Sequence, residues 1–329
     1  MFSNQTILIT GGTGSWGQEL MKRLLRENPK EIRIFSRNKN SQHLIQQTFN
    51  AYPCIVFISG DIKDYQSFYD ACEGVDYVFH LAALKHVVTC EAQSMEAVET
   101  NVVGTLNVIR ASIEHGVKKV IYTSTDKAVA PSNVYGLSKR LGEQLIIKAN
   151  DMSKHSTRFA CVRTGNLLGS QGSVIPLFKK QLLDGKEITV TSREMTRFFI
   201  ALSDAAELLM NTVGIVVGGE VVIMNMKACC IIELAEVLHR HFATQPLKIK
   251  EIGIRTGEKL HESLIASDES FVYEYDNNYA IALSTSSPKF TLDHYKSFPR
   301  VQIHKYSSQH NLMPKTEIEQ LLRRAGIFG

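Results

Sequence analysis

The stretch ILITGGTGSWG occupies residues 7–17 and decides the fold class. Its apolar part, Ile7–Thr10, predicts a buried strand, and a helical pattern begins inside the glycines that follow. Gly11 permits a tight turn, Gly14 lets backbone amides approach a pyrophosphate, and Gly17 lets the helix pack closely on the strand. A glycine turn without a ligand is the alternative, but strand, helix and following strand are in register. We therefore predict a dinucleotide-binding loop that also includes Thr13, Ser15 and Trp16.

Short β-rich runs alternate with helical patterns through the first half of the chain, which indicates a parallel sheet covered by helices on both faces. The apolar runs predict six buried strands, at Ile7–Thr10, Ile32–Phe35, Ile55–Ile58, Tyr77–His80, Val120–Thr123 and Phe159–Val162. A period near 3.6 predicts helices at Gly17–Leu25 and Ala97–Ile113, the second closed by Gly116. The predicted fold class is therefore α/β, a doubly wound Rossmann parallel sheet.

The alternation loosens after about residue 165, where glycines and a proline interrupt the chain. We predict a dinucleotide-binding Rossmann domain over residues 1–165. A smaller C-terminal α/β substrate lobe is expected over residues 166–329, with some segments returning to the Rossmann sheet. Helical patterns in this lobe fall at Phe178–Leu183, Ser203–Val213, Ile231–His241 and Glu317–Ala325, the last with Thr316 as its N-cap.

Composition and charge exclude several classes of protein. The chain is 44% hydrophobic and 21% charged, as in globular proteins, and has no apolar run of about 18 residues that would predict a membrane helix. The net charge of +4 is spread without a like-charge block, which argues against a nucleic-acid partner and suits an anionic small substrate. The six cysteines form no CxxC pair, so no metal site is expected. Nothing in the first residues predicts export, so we expect a cytoplasmic location.

Ser36-Arg37, after the second predicted strand, indicates which dinucleotide binds. An NAD enzyme usually has Asp or Glu there to accept the ribose hydroxyls, whereas an arginine can bind a 2′-phosphate with its planar, charged fork. The Rossmann domain is therefore predicted to bind NADP, and the alternative is that Arg37 is a solvated surface charge. Loops that would cross the adenine and pyrophosphate contain Asp61, Ile62, Ala82 and Ala83.

A tyrosine and a lysine four residues apart follow the fifth predicted strand. Tyr135 and Lys139 share one face of a helix, where the ammonium would lower the pKa of the phenol and allow proton exchange with a substrate hydroxyl. This spacing alone is often a surface pair. Downstream of a dinucleotide loop it predicts an active site.

Seven further motifs carry a resemblance to a known family: AALKHV (82–87), TNVVG (100–104), STDKA (124–128), RTGN (163–166), GSVIP (172–176), MTRF (195–198) and RTGEKLHE (255–262). With the glycine loop and the Tyr–Lys pair, they make the chain similar to the extended short-chain dehydrogenase/reductases, and among these to the UDP-N-acetylglucosamine 4,6-dehydratases. Asp126-Lys127 is the pair of the C5-inverting group, where most C5-retaining sugar-nucleotide dehydratases carry Asp-Glu. The chain departs from the group's pattern at His86, Val88, Thr164 and Ser192.

The resemblance implies a redox-neutral cycle on a UDP-sugar, for surface glycan biosynthesis. Tyr135 would take the O4 proton while hydride leaves C4 for NADP, and Lys139 would hold the nicotinamide ribose. Thr125 and Asn101 would orient the hydroxyl and a relay water, with Asn101 and Lys85 also near the cofactor.

The resemblance further implies that Lys127 removes H5, which requires a neutral amine, and that Asp126 protonates O6, so that water leaves across C5 and C6. The alternative is a simple ion pair in a surface loop. The side chains implied for substrate binding are Lys85, Asn166, Ser173, Val174, Arg197, Arg255 and Glu258.

Two other functions remain open from the sequence. A UDP-sugar 4-epimerase shares the glycine loop and the Tyr–Lys pair but has no need of Asp126-Lys127. A non-catalytic, NADP-sensing regulator of the same fold would commonly lack the tyrosine or the lysine. Relatives associate through the helices that correspond to Ala97–Ile113 and Tyr135–Lys148, so the resemblance implies a homo-oligomer, a dimer or a hexamer.

Overall fold

A nine-stranded sheet forms the centre of the computed structural model, which describes residues 1–153, 157–170, 172–266, 269–276, 279–301 and 306–328. The described residues form these strands: β1 (Thr6–Thr10), β2 (Glu31–Ser36), β3 (Ile55–Ser59), β4 (Tyr77–His80), β5 (Lys119–Thr125), β6 (Arg158–Thr164), β7 (Asn166–Leu167), β8 (Ile188–Val190), β9 (Thr196–Ile200), β10 (Val221–Met224), β11 (Ala228–Cys230), β12 (Ile249–Glu251), β13 (Phe271–Glu274) and β14 (Tyr279–Leu283). All six strands predicted from the apolar runs are present.

The order of the large sheet is β13-β14-β10-β6-β5-β4-β1-β2-β3. From β3 to β10 all neighbours are parallel, and β14 and β13 add an antiparallel edge. The order 3-2-1-4-5-6 is that of a Rossmann sheet, so the predicted fold class is confirmed. Its strand order reverses between β1 and β4, which is where such sheets bind ligands at the C-terminal strand ends. β10, β13 and β14 come from the second half of the chain.

The helices flank this sheet and the smaller sheets β11-β9-β7 and β12-β8. They are α1 (Ser15–Leu24), α2 (Lys39–Thr48), α3 (Tyr65–Ala71), α4 (Val87–Ala92), α5 (Ser94–Val98), α6 (Gly104–Glu114), α7 (Val134–Met152), α8 (Val174–Leu183), α9 (Leu202–Ile215), α10 (Ile231–Phe242), α11 (Lys289–Tyr295) and α12 (Lys315–Arg324). A π-helical turn, Glu99–Val103, joins α5 to α6, so the predicted helix at Ala97–Ile113 is one continuous run with a wider turn inside it.

Two predicted helix ends have different outcomes. Gly116 has φ +65° directly after the C-cap of α6, as expected for a glycine that ends a helix. Thr316 is wrong as an N-cap because it lies inside α12. The carbonyl of Pro314 accepts hydrogen bonds from the amides of Glu317 and Ile318, so Pro314 is the N-cap of α12.

The glycine turn needs its glycines because other backbone segments approach them closely. Gly11 has φ +67°, and a Cβ there would lie 2.8 Å from the Ala82 nitrogen. A Cβ on Gly17 would lie 2.4 Å from the Cα of Gly12. Neither distance is sterically possible, so the sequence of the loop fixes how closely α1 packs against β1 and the end of β4.

Apolar side chains fill both faces of the large sheet. Leu8 of β1 belongs to the core on one face, and its neighbours Ile7 and Ile9 belong to the core on the other. A separate core lies under α8, α10 and α12 and includes Phe178, Leu234 and Leu322. In the part of the chain that the structure describes, no helix is both long and apolar enough to cross a membrane.

Candidate active site

A cavity of about 690 Å³ lies beyond the C-terminal ends of β4, β5 and β6, and residues of the second half of the chain close its other side. This is the position that the strand order favours for a ligand. The sequence-predicted site residues that line it are Trp16, Ala83, Lys85, Thr125, Lys127, Tyr135, Lys139, Asn166, Ser173, Val174, Arg197, Arg255 and Glu258.

The glycine turn presents the N-terminus of α1 to this edge of the sheet. Gly14 is the exposed N-cap residue of α1, and a Cβ there would meet only the Gly11 carbonyl oxygen, at 3.4 Å. The open space above Gly14 and the first-turn amides of a helix suit a pyrophosphate. Trp16 lines the cavity, and its buried indole N–H donates no hydrogen bond to any described residue. Thr13 and Ser15 flank Gly14. These residues fit a dinucleotide.

Ser36 and Arg37 lie at the end of β2, where the adenosine ribose is expected. The Ser36 hydroxyl accepts a hydrogen bond from Gln42 Nε2 at 2.9 Å. The half-exposed Arg37 donates from Nη1 to Glu96 Oε1 at 3.0 Å and lies 3.7 Å from Asp61 Oδ2. A 2′-phosphate bound by Arg37 would therefore have to replace a carboxylate.

Two of the expected cofactor residues, Asn101 and Ile62, make contacts that hold the fold together. Asn101 is 1% exposed, and its amide accepts from the Leu84 nitrogen at 2.8 Å and donates to the Leu84 oxygen at 3.0 Å and to Ser138 Oγ at 2.9 Å. These bonds tie the loop after β4 to α7, so no amide proton of Asn101 is left to orient a relay water, and Asn101 does not line the cavity. Ile62 is buried, with its side chain packed against Gly104.

Tyr135 and Lys139 both line the cavity, one turn apart on α7. The expectation that Lys139 lowers the pKa of Tyr135 is wrong for this structure. Burial raises the pKa of Tyr135, the charge of Asp126 raises it further, and a hydrogen bond with Thr125 only partly opposes them. The Lys139 ammonium instead lies 3.9 Å from the centre of the Tyr122 ring, and burial lowers the pKa of Lys139 to about 7.

Asp126 and Lys127 form an ion pair directly after β5, in which Asp126 is fully buried and the Lys127 side chain is 21% exposed. Asp126 Oδ1 accepts hydrogen bonds from Thr125 Oγ1 and from Lys127 Nζ, both at 2.9 Å. Lys127 Nζ also donates to Asn166 Oδ1 at 3.2 Å and lies 3.9 Å from Glu262 Oε1. Burial opposes the charge of Lys127, but the carboxylates of Asp126 and Glu262 outweigh it and raise the pKa of Lys127. The pair is therefore not a surface contact, and its charges favour the ammonium form of Lys127 over the neutral amine that the elimination requires.

Arg197 and Arg255 bring positive charge to the substrate side of the cavity. Arg197 is 6% exposed, and its guanidinium donates to three backbone carbonyl oxygens at 2.7–3.0 Å, which fixes its position. Glu258 links the two arginines, because its Oε1 lies 3.5 Å from Arg197 Nη2 and its Oε2 accepts from the Arg255 backbone nitrogen at 3.2 Å.

The N-terminus of α8 also faces the cavity. Ser173 is its N-cap, and the buried hydroxyl makes no hydrogen bond with any described residue. With Val174, it leaves first-turn donors directed at this side of the cavity, where an anionic group could bind. Of the four departures from the family pattern, His86, Val88 and Thr164 line the cavity, and Ser192 does not.

A buried arginine joins the two halves of the site. Arg163 of β6 is fully buried and donates to both carboxylate oxygens of Glu143, at 3.0 and 2.7 Å, and to both of Glu269, at 2.9 and 2.8 Å. Its Nη1 also donates to the Leu264 carbonyl at 2.8 Å. Glu143 is one turn beyond Lys139 on α7, so the cluster fixes that helix to the segment that follows Glu262.

Sequence reasoning gave no role to Glu262, which lines the cavity. The one feature of the sequence that could have indicated a role for Glu262 is its position at the end of the motif RTGEKLHE. Glu262 lies 135 residues after Lys127 in the sequence, so their proximity depends on tertiary folding. No local sequence pattern indicates that the two residues meet.

A Rossmann sheet with a glycine turn, a Tyr–Lys pair on one helix and a second lobe closing the cavity defines an extended short-chain dehydrogenase/reductase. Comparison with known sequences gives the particular group. The chain belongs to the family described as polysaccharide biosynthesis protein, whose profile matches residues 7–283.

Similar proteins carry different names. The "UDP-N-acetylglucosamine 4,6-dehydratase (inverting)" of Campylobacter jejuni serotype O:2 is 43% identical over 288 residues, which is 86% of this chain and 84% of the relative. The "UDP-glucose 4-epimerase" of Rickettsia bellii is 45% identical over 284 residues, 85% and 83% of the two chains. The crystal structure of Pen from Bacillus thuringiensis has a TM-score of 0.90 at 38% identity, over 98% of this chain and 99% of that one. The family resemblance inferred from the motifs is thus confirmed.

Proposed function

We propose that this chain is a UDP-N-acetylglucosamine 4,6-dehydratase that inverts C5 and yields a 4-keto-6-deoxy sugar nucleotide. The observation that carries this proposal is the Asp126–Lys127 ion pair, in which Lys127 lines the same cavity as Tyr135 and Lys139 and Asp126 lies fully buried directly behind it. Oxidation at C4 needs only a tyrosine and a lysine, whereas loss of water needs a second acid–base pair. The 43% identity to the Campylobacter enzyme of that name supports the same reading.

Tyr135 acts first: it takes the proton of the substrate's O4 hydroxyl while its own phenolic proton passes to the neutral form of Lys139. When bound, a nicotinamide dinucleotide supplies the hydride acceptor for C4 and later the hydride donor for C6. Lys139, with a pKa of about 7, is balanced between its two protonation states near neutral pH, as a residue that relays the phenol's proton must be. A hydrogen bond between Thr125 and Tyr135 opposes part of the rise in the pKa of Tyr135.

Asp126 and Lys127 perform the elimination in the proton-shifted form of the ion pair. Transfer of one proton from Lys127 Nζ to Asp126 Oδ1, 2.9 Å away, converts ammonium and carboxylate into amine and carboxylic acid. The amine then takes H5, which the C4 ketone has acidified, while the acid gives its proton to O6 as the C6–O6 bond breaks. Closeness of the two groups in a buried site allows this exchange, because a neutral pair avoids burying two charges.

Cationic side chains from the second half of the chain hold the nucleotide diphosphate. Arg197 is preorganised by its bonds to backbone carbonyls, and Arg255 is exposed at the cavity mouth. We assign the diphosphate to these cations and to the N-terminus of α8 at Ser173 and Val174. Lys85, Asn166 and Glu258 are proposed to contact the sugar or nucleotide.

NADP is the proposed cofactor, bound by the glycine turn and by Arg37. The absence of an acidic residue directly at the end of β2 supports this choice over NAD. Glu96 and Asp61 hold the guanidinium in the structure, and a dianionic phosphate competes for it with the larger charge.

A homo-oligomer, dimer or hexamer, is the proposed assembly. Exposed apolar side chains on α5, the π turn and α7 support it, because such residues are usually covered in an oligomer. They are Met95, Val98, Val103, Leu137 and Leu141.

A UDP-sugar 4-epimerase is the second candidate, because the Rickettsia relatives at 44–45% identity carry that name. It would use Tyr135 and Lys139 in the same way and return hydride to C4. The acid–lysine pair would then have no chemical task. An NADP-sensing regulator, the third alternative from the sequence, is disfavoured because both residues of the Tyr–Lys pair are present and line the cavity.

The experiment that tests the proposed function incubates the protein with UDP-N-acetylglucosamine and NADP in heavy water. We expect a product lighter by one water, with deuterium at C5 and the L-series configuration by NMR. Lys127→Ala should accumulate NADPH without losing water, and the matched variant Tyr135→Phe should form no NADPH, because it lacks the phenolic proton acceptor. Each variant should lower turnover by about 10²–10⁴-fold.

Other products would identify the alternatives. A D-series 4-keto sugar, or a C5 without deuterium, contradicts the inverting mechanism. A product of unchanged mass supports the epimerase, and tight NADP binding without any turnover supports the regulator.

Arg37→Ala tests the choice of cofactor. We expect NADP(H) binding to weaken by about 1–3 kcal/mol, the range for losing a charged hydrogen bond, with NAD(H) binding unchanged. Glu96→Gln is the control, because it frees the guanidinium and should leave NADP binding as tight or tighter. Titration calorimetry with both dinucleotides measures this. Equal losses for NADP and NAD in Arg37→Ala would show that Arg37 does not bind the 2′-phosphate.

A further inference from the structure

Glu262 is a buried carboxyl group in the cavity for which the proposed reaction has no task so far. It is 2% exposed and belongs to the segment between β12 and β13. Two hydrogen bonds to Ser308 fix the backbone of Glu262. The Glu262 amide donates to Ser308 Oγ, and the Ser308 amide donates to the Glu262 carbonyl oxygen, each at 2.8 Å. The side chain lies across from Lys127, with Oε1 3.9 Å from Nζ.

The carboxyl group of Glu262 has fewer hydrogen-bond donors than that of Glu220, another buried acid of this protein. Glu220 accepts two backbone amides, at 2.6 and 2.8 Å, and the Tyr295 hydroxyl at 3.2 Å. Glu262 has two ion-pair contacts, to Lys127 at 3.9 Å and to Lys259 at 3.5 Å, and its buried Oε2 accepts no hydrogen bond from the residues that the structure describes. A buried carboxylate with so few donors is unfavourable for stability, which points to a role in the site.

We propose that Glu262 is a third member of the proton-transfer group, a positioning residue whose charge keeps the proton on Lys127 and thereby controls when Lys127 becomes a base. As a carboxylate it attracts the ammonium and opposes the shift of a proton to Asp126. When it carries a proton itself, that attraction is gone, and the amine and carboxylic acid that elimination requires become accessible. The step is one N–H bond broken at Lys127 and one O–H bond formed at Asp126, with no net change in charge.

The surrounding charges support this arrangement. Asp126 and Glu262 favour the ammonium of Lys127, whereas Arg197 disfavours it. Burial and the charge of Asp126 raise the pKa of Glu262, while Lys127, Arg197 and Lys259 lower it, and the rise prevails. Glu262 therefore takes up a proton more readily than an ordinary carboxyl group, as a controlling group must.

Other charged and titratable groups border this cluster but interact with residues outside it or with Asp126. Glu258 pairs with Arg197 at 3.5 Å, and His261 Nδ1 bonds to Thr196 Oγ1 at 2.8 Å. The charge of Asp126 acts on Tyr135. Glu258 is a suitable control, because it is an acid of the same loop and cavity that pairs with Arg197 and makes no ion pair with Lys127 among the described residues.

The first experiment measures the pKa of Lys127 directly and needs no substrate. The full-length protein is labelled with ε-13C lysine, the Lys127 signal is assigned with Lys127→Arg, and its shift is followed with pH. Glu262→Gln should lower the pKa of Lys127 by about one unit or more, because the ammonium loses an opposite charge. Glu262→Asp, which keeps the charge, should lower it less, and Glu258→Gln should leave it unchanged.

The second measurement connects this shift to the proposed function, on which the inference rests for its reaction. In Glu262→Gln the pH profile of water loss should move to lower pH by the same amount, while formation of NADPH from C4 oxidation keeps its profile. A protein that shows the Lys127 shift but never dehydrates the sugar would contradict the proposed function and leave the control by Glu262 intact.

An unchanged Lys127 pKa in folded Glu262→Gln would overturn the inference. If that variant fails to fold, the wild-type titration decides, because Lys127 should then show a second step at the pH where a 13C-labelled Glu262 carboxyl titrates. A single-step Lys127 curve would equally overturn it.

Discussion

The buried guanidinium of Arg163 is the constraint on which the two-sided cavity depends. It lies on β6 with no exposure and meets the carboxylates of Glu143 and Glu269 by two bonds each. Glu143 belongs to the helix of Tyr135 and Lys139, and Glu269 belongs to the segment that closes the substrate side. Removing one partner of such a cluster leaves an uncompensated buried charge and typically costs about 3–5 kcal/mol. The cluster therefore fixes α7, which carries Tyr135 and Lys139, relative to the segment that carries Glu262.

The site contains two proton-transfer pairs with different charge states. On α7, burial makes the phenol of Tyr135 hold its proton and makes Lys139 release its own near neutral pH. After β5, two carboxylates keep Lys127 charged despite burial. Oxidation at C4 and elimination across C5 and C6 thus draw on separate groups, which suits a cycle in which one substrate undergoes both steps before it leaves.

The fold was largely predictable from the sequence because apolar runs and glycines act locally. The six parallel strands and the turn at Gly11 follow from side-chain periodicity and from a positive φ. The pKa of Tyr135 was not predictable from its spacing to Lys139, because the ammonium lies over Tyr122, a contact set by tertiary packing. The hydrogen bonds of the Asn101 amide to Leu84 and Ser138 were not predictable either, because they also depend on tertiary packing. Glu262 stayed without a role because its meeting with Lys127 joins distant parts of the chain.

The central claim is that one sugar nucleotide is oxidised at C4 and reduced at C6 without leaving the cavity. A mixture of UDP-N-acetylglucosamine deuterated at C4 and the same compound carrying 13C throughout the sugar but hydrogen at C4 tests it in one mass spectrum with NMR. We expect all deuterium at C6 of 12C product molecules and none in the 13C product. Deuterium returned to C4, or exchanged between the 12C and 13C molecules, would contradict it.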